Sequence, residues 1–249
     1  MDNIKSFFCF LTSDLFHLII KEDVRLNPDL PECIEVNPPG DPEAAIIWLH
    51  GLGADGHDFE TIVPQLRLPD SLPVRYIFPH APKRAVTING GLMMRAWFDI
   101  FNVDLTADSI DHDHFRESVG LLSALIENEM RSGMTSDRIV LAGFSQGGAI
   151  ALHAGLHYEK KLAGILAMSM HLPTVAKSAA AFSSTAKQVP IMMTHGQLDP
   201  IIPLSKALET RQALSDLGYA VDWHDYPMPH SVCDQEIQDI RSWLLKVLT

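Results

Sequence analysis

The sequence predicts an α/β fold with a mostly parallel central sheet and helices on both faces. Short apolar runs, typical of buried strands, alternate with longer segments in which apolar residues recur at helical spacing. Such alternation is typical of strand-helix-strand units, which build parallel sheets. The chain has 249 residues, enough for one sizeable core, and neither a flexible linker nor an internal repeat divides it. We therefore expect one main domain.

Six mainly apolar segments are predicted to be strands. Five of them are nearly continuous apolar runs, as expected for strands buried on both faces, and the sixth alternates apolar with polar residues. In chain order they cover residues 44–49, 74–78, 138–142, 164–168, 189–196 and 220–226. The stretch that joins the second strand to Trp97 is predicted to be irregular.

Helices are predicted between these strands. Residues 58–66 follow a glycine-rich turn, and residues 148–154 form the small-residue start of a helix. Three later helices show apolar residues on one face, and we expect these faces to pack in the core. They are marked by Phe115, Val119, Leu122, Ile126 and Met130, by Ala207, Leu208, Leu214 and Leu217, and by Ile237, Ile240, Trp243, Leu244 and Val247.

The first thirty residues are predicted to be an N-terminal extension, so that the main domain covers residues 31–249. Two apolar runs are interrupted by Asp14, and no small-residue cleavage site follows them. The stretch is also too short and too interrupted to span a bilayer. We expect an amphipathic segment packed on the domain or on a second subunit, which would make a homodimer. A helix on a membrane surface is the alternative.

Charge and cysteine content restrict the partners and the compartment. The formal net charge of −12 argues against nucleic acid and against stable insertion into anionic membranes. The three cysteines, Cys9, Cys33 and Cys233, are scattered without metal-ligand spacing, which predicts free thiols and a cytoplasmic location. The acidic and histidine residues at 111–114 are predicted to open a helix rather than bind a metal.

A serine between two glycines stands at the end of the third predicted strand. Gly143-Phe144-Ser145-Gln146-Gly147 joins that strand to the small-residue helix. A strand-to-helix corner of this kind strains the backbone, so its close neighbours must lack a Cβ atom. The corner exposes the hydroxyl above the sheet and places it at a helix N-terminus, which favours developing negative charge. Ser145 is the predicted nucleophile.

A nucleophilic serine requires a base and an acid that orients the base. Asp199 follows the fifth predicted strand, and His230 lies in a proline-stiffened loop after the sixth. The order Ser145, Asp199, His230 is the chain order of α/β-hydrolases. Two alternatives stay open: His195 as the base, and Asp222 or Asp225 as the acid. His195 is disfavoured because it lies only four residues before Asp199.

An oxyanion hole needs two backbone N–H groups beside the nucleophile. One is predicted to come from Gln146, the residue after the serine. The other is assigned to Leu52, because the segment 50–53, His-Gly-Leu-Gly, forms a glycine-bracketed turn directly after the first predicted strand. Without Ser145, this segment would be interpreted only as a tight strand-to-helix connection.

Six segments stand in one order along the chain. They are residues 50–56, 78–82, 96–100, 143–148, 195–200 and 227–232. On these segments the chain, from about residue 34 onward, resembles the carboxylesterase, acyl-protein thioesterase and phospholipase family of small α/β-hydrolases. The resemblance implies an α/β-hydrolase domain without a large lid domain. It also implies Ser145, Asp199 and His230 as a triad, Leu52 and Gln146 as oxyanion donors, and no metal or organic cofactor.

The predicted function is a serine carboxylesterase that hydrolyses short to medium acyl esters through a covalent acyl-enzyme. The substrate would be a small-molecule or lipid ester. Its acyl pocket is predicted to be lined by Leu92, Met93 and Trp97, with Leu172 adding apolar surface. Trp97 would equally serve to anchor its loop in the core. The alternatives are an acyl-protein thioesterase or lysophospholipase and, least favoured, a catalytically silent hydrolase-like binding module.

Overall fold

The structure, a computed structural model, describes residues 30–172 and 182–249. All but the last residue of the predicted N-terminal extension therefore lies outside the described residues, and the extension stays a prediction. Among the described helices, none combines the length and the apolar character that crossing a membrane requires.

A seven-stranded sheet forms the centre of the domain, in the order β1-β3-β2-β6-β7-β8-β9. Six of these strands are parallel, and only β1, at one edge, runs antiparallel to its neighbour β3. The strands are β1 (Cys33–Val36), β2 (Ala44–Leu49), β3 (Val74–Pro79), β6 (Ile139–Phe144), β7 (Gly164–Met168), β8 (Ile191–Gly196) and β9 (Val221–Tyr226). The predicted α/β-hydrolase fold is confirmed, and the edge strand β1 adds to the six predicted strands.

Five α-helices are present among the described residues. They are α1 (Val63–Leu66), α2 (His112–Arg131), α3 (Gln146–His157), α4 (Leu204–Asp216) and α5 (Asp234–Leu248). The first is much shorter than the predicted helix over 58–66, because Glu60–Ile62 form a 3-10 turn before it. Its end at Leu66 is as predicted, since Arg67 adopts a left-handed conformation at φ 46°. A left-handed residue cannot continue a right-handed helix.

Helices cover both faces of the sheet. Side chains of α1 and α5, among them Leu66 and Trp243, share one buried cluster with alternate residues of the central strands. On the opposite face α3 lies close, since a methyl group at Gly155 would come within 2.4 Å of Ile165 Cδ1. The helix α2 packs on α3 and β2. The consecutive apolar residues of the inner strands are therefore buried from both sides, as predicted.

The stretch after β3 contains two strands that were not predicted. A hairpin of β4 (Lys83–Val86) and β5 (Leu92–Arg95) replaces the expected irregular segment. Gly90 and Gly91, at φ 69° and 79°, make the connection between its strands. The strands are only four residues long, and Leu92 and Met93 are consecutive and exposed, so no alternation revealed them.

Candidate active site

Ser145 occupies a strained corner between β6 and α3. Its φ of 55° and ψ of −119° are unfavourable for a residue with a side chain. The backbone around it is packed too closely for a side chain at the flanking glycines. A methyl group at Gly143 would lie 2.3 Å from the Gly147 carbonyl. One at Gly147 would lie 2.4 Å from Leu49 O. The Ser145 N–H donates to Met168 O at 2.9 Å, which fixes the corner to β7.

Asp199 and His230 form a short hydrogen-bonded pair. His230 Nδ1 is 2.6 Å from Asp199 Oδ2, and the Asp199 side chain is fully buried. The other carboxylate oxygen, Oδ1, accepts the backbone N–H groups of Ile201 and Ile202 at 2.8 and 2.9 Å. Both carboxylate oxygens are thus occupied. Because Nδ1 of the imidazole is engaged, its Nε2 is the nitrogen available to receive a proton.

The corner and the pair lie at one end of the sheet. Ser145, Asp199 and His230 each follow the carboxyl end of a parallel strand, where α/β proteins gather their functional groups. The Phe144 ring, one residue before the serine, packs on the His230 ring with centroids 4.6 Å apart. Within the described residues the Ser145 hydroxyl makes no side-chain hydrogen bond.

The turn after β2 runs beside the nucleophile. A methyl group at Gly51 would lie 3.5 Å from Ser145 Cβ. Across the described structure, the backbone N–H groups of Leu52 and Gln146 donate to no protein acceptor. Gln146 is the first residue of α3, where N–H groups have no partner inside the helix. Both N–H groups can therefore donate to an oxygen bound next to Ser145.

A buried network that the sequence did not predict holds this turn. The indole N–H of Trp97 donates to His50 O at 2.9 Å, and the Gln146 side-chain oxygen accepts the Trp97 backbone N–H at 3.0 Å. His50 Nε2 accepts the Ala81 N–H, so its proton lies on Nδ1, 2.7 Å from Gly51 O. Burial lowers the pKa of His50 to about 4, which keeps this tautomer neutral. The only sequence signal was the position of His50 at the end of the strand.

The four residues predicted to bind substrate fall into two groups. Leu92 and Met93 are 64% and 67% exposed on β5. This strand borders the turn after β2, because Gly53 N–H donates to the Arg95 carbonyl at 2.8 Å. Trp97 and Leu172 are only 1% and 2% exposed. The structure therefore places Trp97 as a support of the turn, and its contact with substrate stays a prediction.

Two apolar residues beside Asp199 were not predicted. Leu198 and Ile201 are 68% and 62% exposed, although they flank a buried carboxylate. They lie on the loop that supplies the acid, while Leu92 and Met93 lie on the strand beside the predicted oxyanion turn. Exposed apolar side chains therefore occur on two elements that carry site residues. The sequence signal was the presence of large aliphatic residues next to Asp199 in a proline-containing loop at a strand end.

The alternatives for the acid and the base are placed elsewhere. Asp222 pairs with His224, and Asp225 accepts from the Gln197 amide, so neither contacts His230. His195 is fully buried, with its Nε2 directed at Ile202 O. The geometry favours Asp199 and His230. In the described part of the chain, no group of three or more histidine, cysteine, aspartate or glutamate side chains is arranged to hold a metal ion.

Known proteins resemble this chain over most of its length. The phospholipase/carboxylesterase family profile matches residues 31–248. Acyl-protein thioesterase 1 of Neurospora crassa is 39% identical over 215 residues, which cover 82% of this chain and 87% of that protein. Acyl-protein thioesterase 1 of Cryptococcus neoformans is 36% identical over 232 residues, covering 86% and 97% of the two chains.

Solved structures show the same architecture. Arabidopsis thaliana SOBER1 superposes with a TM-score of 0.77 at 30% identity, over 83% of this chain and 99% of that one. Zea mays acyl-protein thioesterase 2 superposes with a TM-score of 0.76 at 25% identity, over 88% and 100% of the two chains. The chain therefore belongs to the phospholipase/carboxylesterase family of α/β-hydrolases and is a serine hydrolase of ester or thioester bonds.

Proposed function

We propose that the protein is an acyl thioesterase that removes apolar acyl chains from its substrates through a covalent acyl-enzyme. The observation that carries this proposal is the set of four exposed aliphatic side chains, Leu92, Met93, Leu198 and Ile201, on the elements that flank the site. Each methylene that an acyl chain buries against such surface is worth about 0.8 kcal/mol. The acyl-protein thioesterases among its relatives support the same substrate class.

The reaction follows from the geometry of the pair and the corner. His230 Nε2 takes the proton of Ser145 as the hydroxyl oxygen attacks the acyl carbonyl, while Asp199 holds the imidazole through Nδ1. The backbone N–H groups of Leu52 and Gln146 bind the resulting oxyanion. His230 then gives its proton to the departing thiol or alcohol. A water molecule, activated by the same imidazole, releases the carboxylic acid and restores Ser145.

A carboxylesterase of short to medium acyl esters, as predicted from the sequence, is the second candidate. It is favoured by Trp97 and Leu172, which are buried and leave little open apolar surface at these two predicted pocket positions. A small pocket would accept a short acyl group and exclude a long one. The two candidates use the same three side chains and differ only in the acyl length and leaving group that they favour.

Catalytic efficiency measured across acyl length separates the candidates. We expect kcat/KM for matched oxyesters and thioesters, from acetyl to palmitoyl, to rise with length and to remain high at palmitoyl thioester. A maximum at short or medium oxyesters would instead support the carboxylesterase. Replacing Leu92 and Met93 by serine should reduce the preference for long chains, whereas Leu208→Ser on α4 serves as a control at another exposed aliphatic residue.

A further inference from the structure

A second histidine lies beside the Asp199 carboxylate. His195, on β8, has no exposed surface. Its Nε2 is 2.8 Å from Ile202 O and 3.5 Å from Asp199 Oδ2, the oxygen that also binds His230. The His195 ring is stacked on Trp223, with centroids 6.4 Å apart and 15° between the planes. The packing holds the ring with Nε2 toward the acid.

The contacts define the protonation of this histidine. A backbone carbonyl only accepts hydrogen bonds, so the contact with Ile202 O requires a hydrogen on Nε2 of His195. Within the described residues its Nδ1 is buried without a partner, and a second proton there would be a buried donor without an acceptor. Burial lowers the pKa of His195. The ring is therefore a neutral donor and is unsuited to accept a proton from Ser145.

Ile202 connects His195 to the acid through its backbone. Its N–H donates to Asp199 Oδ1 at 2.9 Å, and its carbonyl accepts from His195 Nε2 at 2.8 Å. Asp199 and Ile202 thus belong to one loop that is tied back to β8. The same N–H of His195 faces Asp199 Oδ2, so it also offers a partial positive charge to the carboxylate. A loop without this tie would have more freedom to move the acid.

We propose that His195 is a positioning residue: its Nε2–H, held by Ile202 O, fixes the Asp199 carboxylate in the orientation that aligns His230. This inference rests on the proposed function, because alignment matters only if His230 is the base. It gives the two histidines next to one carboxylate separate tasks. His230 moves the proton, and His195 stays neutral and holds the acid in place.

Two substitutions at one position test the role. His195→Leu removes the donor and keeps apolar bulk against Trp223, while His195→Gln restores an N–H close to the place of Nε2. We expect kcat of His195→Leu to fall on the order of 10- to 100-fold with little change in KM, because small misplacements of catalytic groups cost this much. His195→Gln should recover most of kcat. Near wild-type kcat in His195→Leu, or no recovery in His195→Gln, would overturn the proposal.

His153→Leu is the matched control. His153 on α3 is another largely buried histidine, and burial lowers its pKa to about 4. In the described part of the chain its Nδ1 has no partner. Its ring packs on those of Phe115, 4.9 Å between centroids, and His157. His153→Leu should keep kcat at comparable stability. An equal fall of kcat in both leucine variants would mean that loss of packing, not loss of the donor, is responsible.

Nuclear magnetic resonance keeps the test decisive if His195→Leu fails to fold. In the wild-type protein with ¹⁵N-labelled histidine, His195 should carry its hydrogen on Nε2 and stay neutral around neutral pH. A hydrogen on Nδ1, or protonation in step with His230, would refute the role. A fluorophosphonate probe separates this failure from failure of the proposed function: absence of labelling at Ser145 refutes the function itself, whereas normal labelling leaves only the role of His195 in question.

Discussion

The side chains around Ser145 divide between those that would react and those that hold the others in place. His230 and Asp199, whose Nδ1 and Oδ2 atoms lie 2.6 Å apart, are the proposed base and acid. We propose two tasks for Gln146: its N–H would bind the oxyanion, while its side chain ties Trp97 and Phe98 to α3. A single substitution can therefore remove chemistry, support or both.

Removing the nucleophile should abolish turnover without unfolding the protein. We expect Ser145→Ala to lose about 10⁴-fold or more in kcat, because triad members act as one unit. His230→Ala should lose a similar factor, and the double variant should lose little more than either single one. Steady-state kinetics together with thermal unfolding give the answer. A folded Ser145→Ala protein with substantial turnover would show that another group is the nucleophile.

Glu236 has a buried carboxyl group whose protonation makes the stability of the fold depend on pH. It lies in the first turn of α5 and has no exposed surface. Among the residues that the structure describes, neither of its carboxyl oxygens has a hydrogen-bond partner. Burial raises its pKa from 4.5 to about 7. The folded state therefore binds an extra proton between these values. This contribution to stability is complete below pH 4.5 and is lost as the pH rises through about 7.

Glu236→Gln, which is neutral at every pH, should separate from the wild type as the pH rises. We expect similar stability near pH 4.5 and an advantage for the variant on the order of 3 kcal/mol above pH 8, from the linkage relation. Urea unfolding over this range measures it. Glu159→Gln, at an exposed position, is the control and should show no such trend. An advantage that does not grow with pH would contradict the assignment.

At the scale of the elements, the close approach of α3 to the ends of β2 and β6 creates the corner. Gly143 and Gly147 allow backbone atoms to come nearer than any Cβ would permit. The hairpin of β4 and β5 then closes over the turn after β2 through Gly53 and Arg95. The site is thus assembled from helix, strand and hairpin contacts that a change in one glycine can disturb.

Two glycine-to-alanine substitutions in helices should have opposite effects. In Gly147→Ala the new methyl group would lie 2.4 Å from Leu49 O and 2.6 Å from His50 O, both backbone atoms. We expect destabilisation by at least about 1–3 kcal/mol and loss of turnover, because α3 must shift. Gly120→Ala in α2 meets nothing within 4 Å and should stabilise by about 0.5–1 kcal/mol. Equal effects in denaturant unfolding would contradict this account.

At the scale of the whole molecule, every strand and helix that the structure describes lies within the part of the chain that the family profile covers. The first strand begins at Cys33, and the profile matches residues 31–248. We therefore propose that residues 31–249 form an independent domain.

A chain that begins at residue 31 should keep the fold and the chemistry. We expect its kcat/KM for a water-soluble ester to match that of the full chain, with a similar midpoint of thermal unfolding. The comparison also tests the extension, because a membrane-surface helix predicts vesicle binding by the full chain alone. Loss of turnover in a folded shortened chain would instead assign the extension to the active domain.

The sequence by itself determined the order of the six parallel strands, whereas its assignment of Ser145, Asp199 and His230 as the reacting residues stays a prediction. Apolar periodicity indicates burial, and a serine between two glycines indicates a strained corner. Both features involve residues close together in sequence, so they can be recognised without coordinates. Short, exposed strands show no apolar pattern in the sequence. The hairpin of β4 and β5 and the edge strand β1 were therefore not predicted. The helix over 58–66 was overestimated at its start, because residues 60–62 form a 3-10 turn and the α-helix begins only at Val63.

Only the tertiary structure decided which side chains support the site. His50, Trp97 and Gln146 are far apart in sequence, and their hydrogen bonds arise where β2, the segment after β5 and α3 meet. The same holds for the two histidines near Asp199: spacing disfavoured His195 as the base, but its buried Nε2–H contact with Ile202 O assigns it another task. Partner choice for a buried polar group depends on distances across the fold, which composition and spacing do not specify.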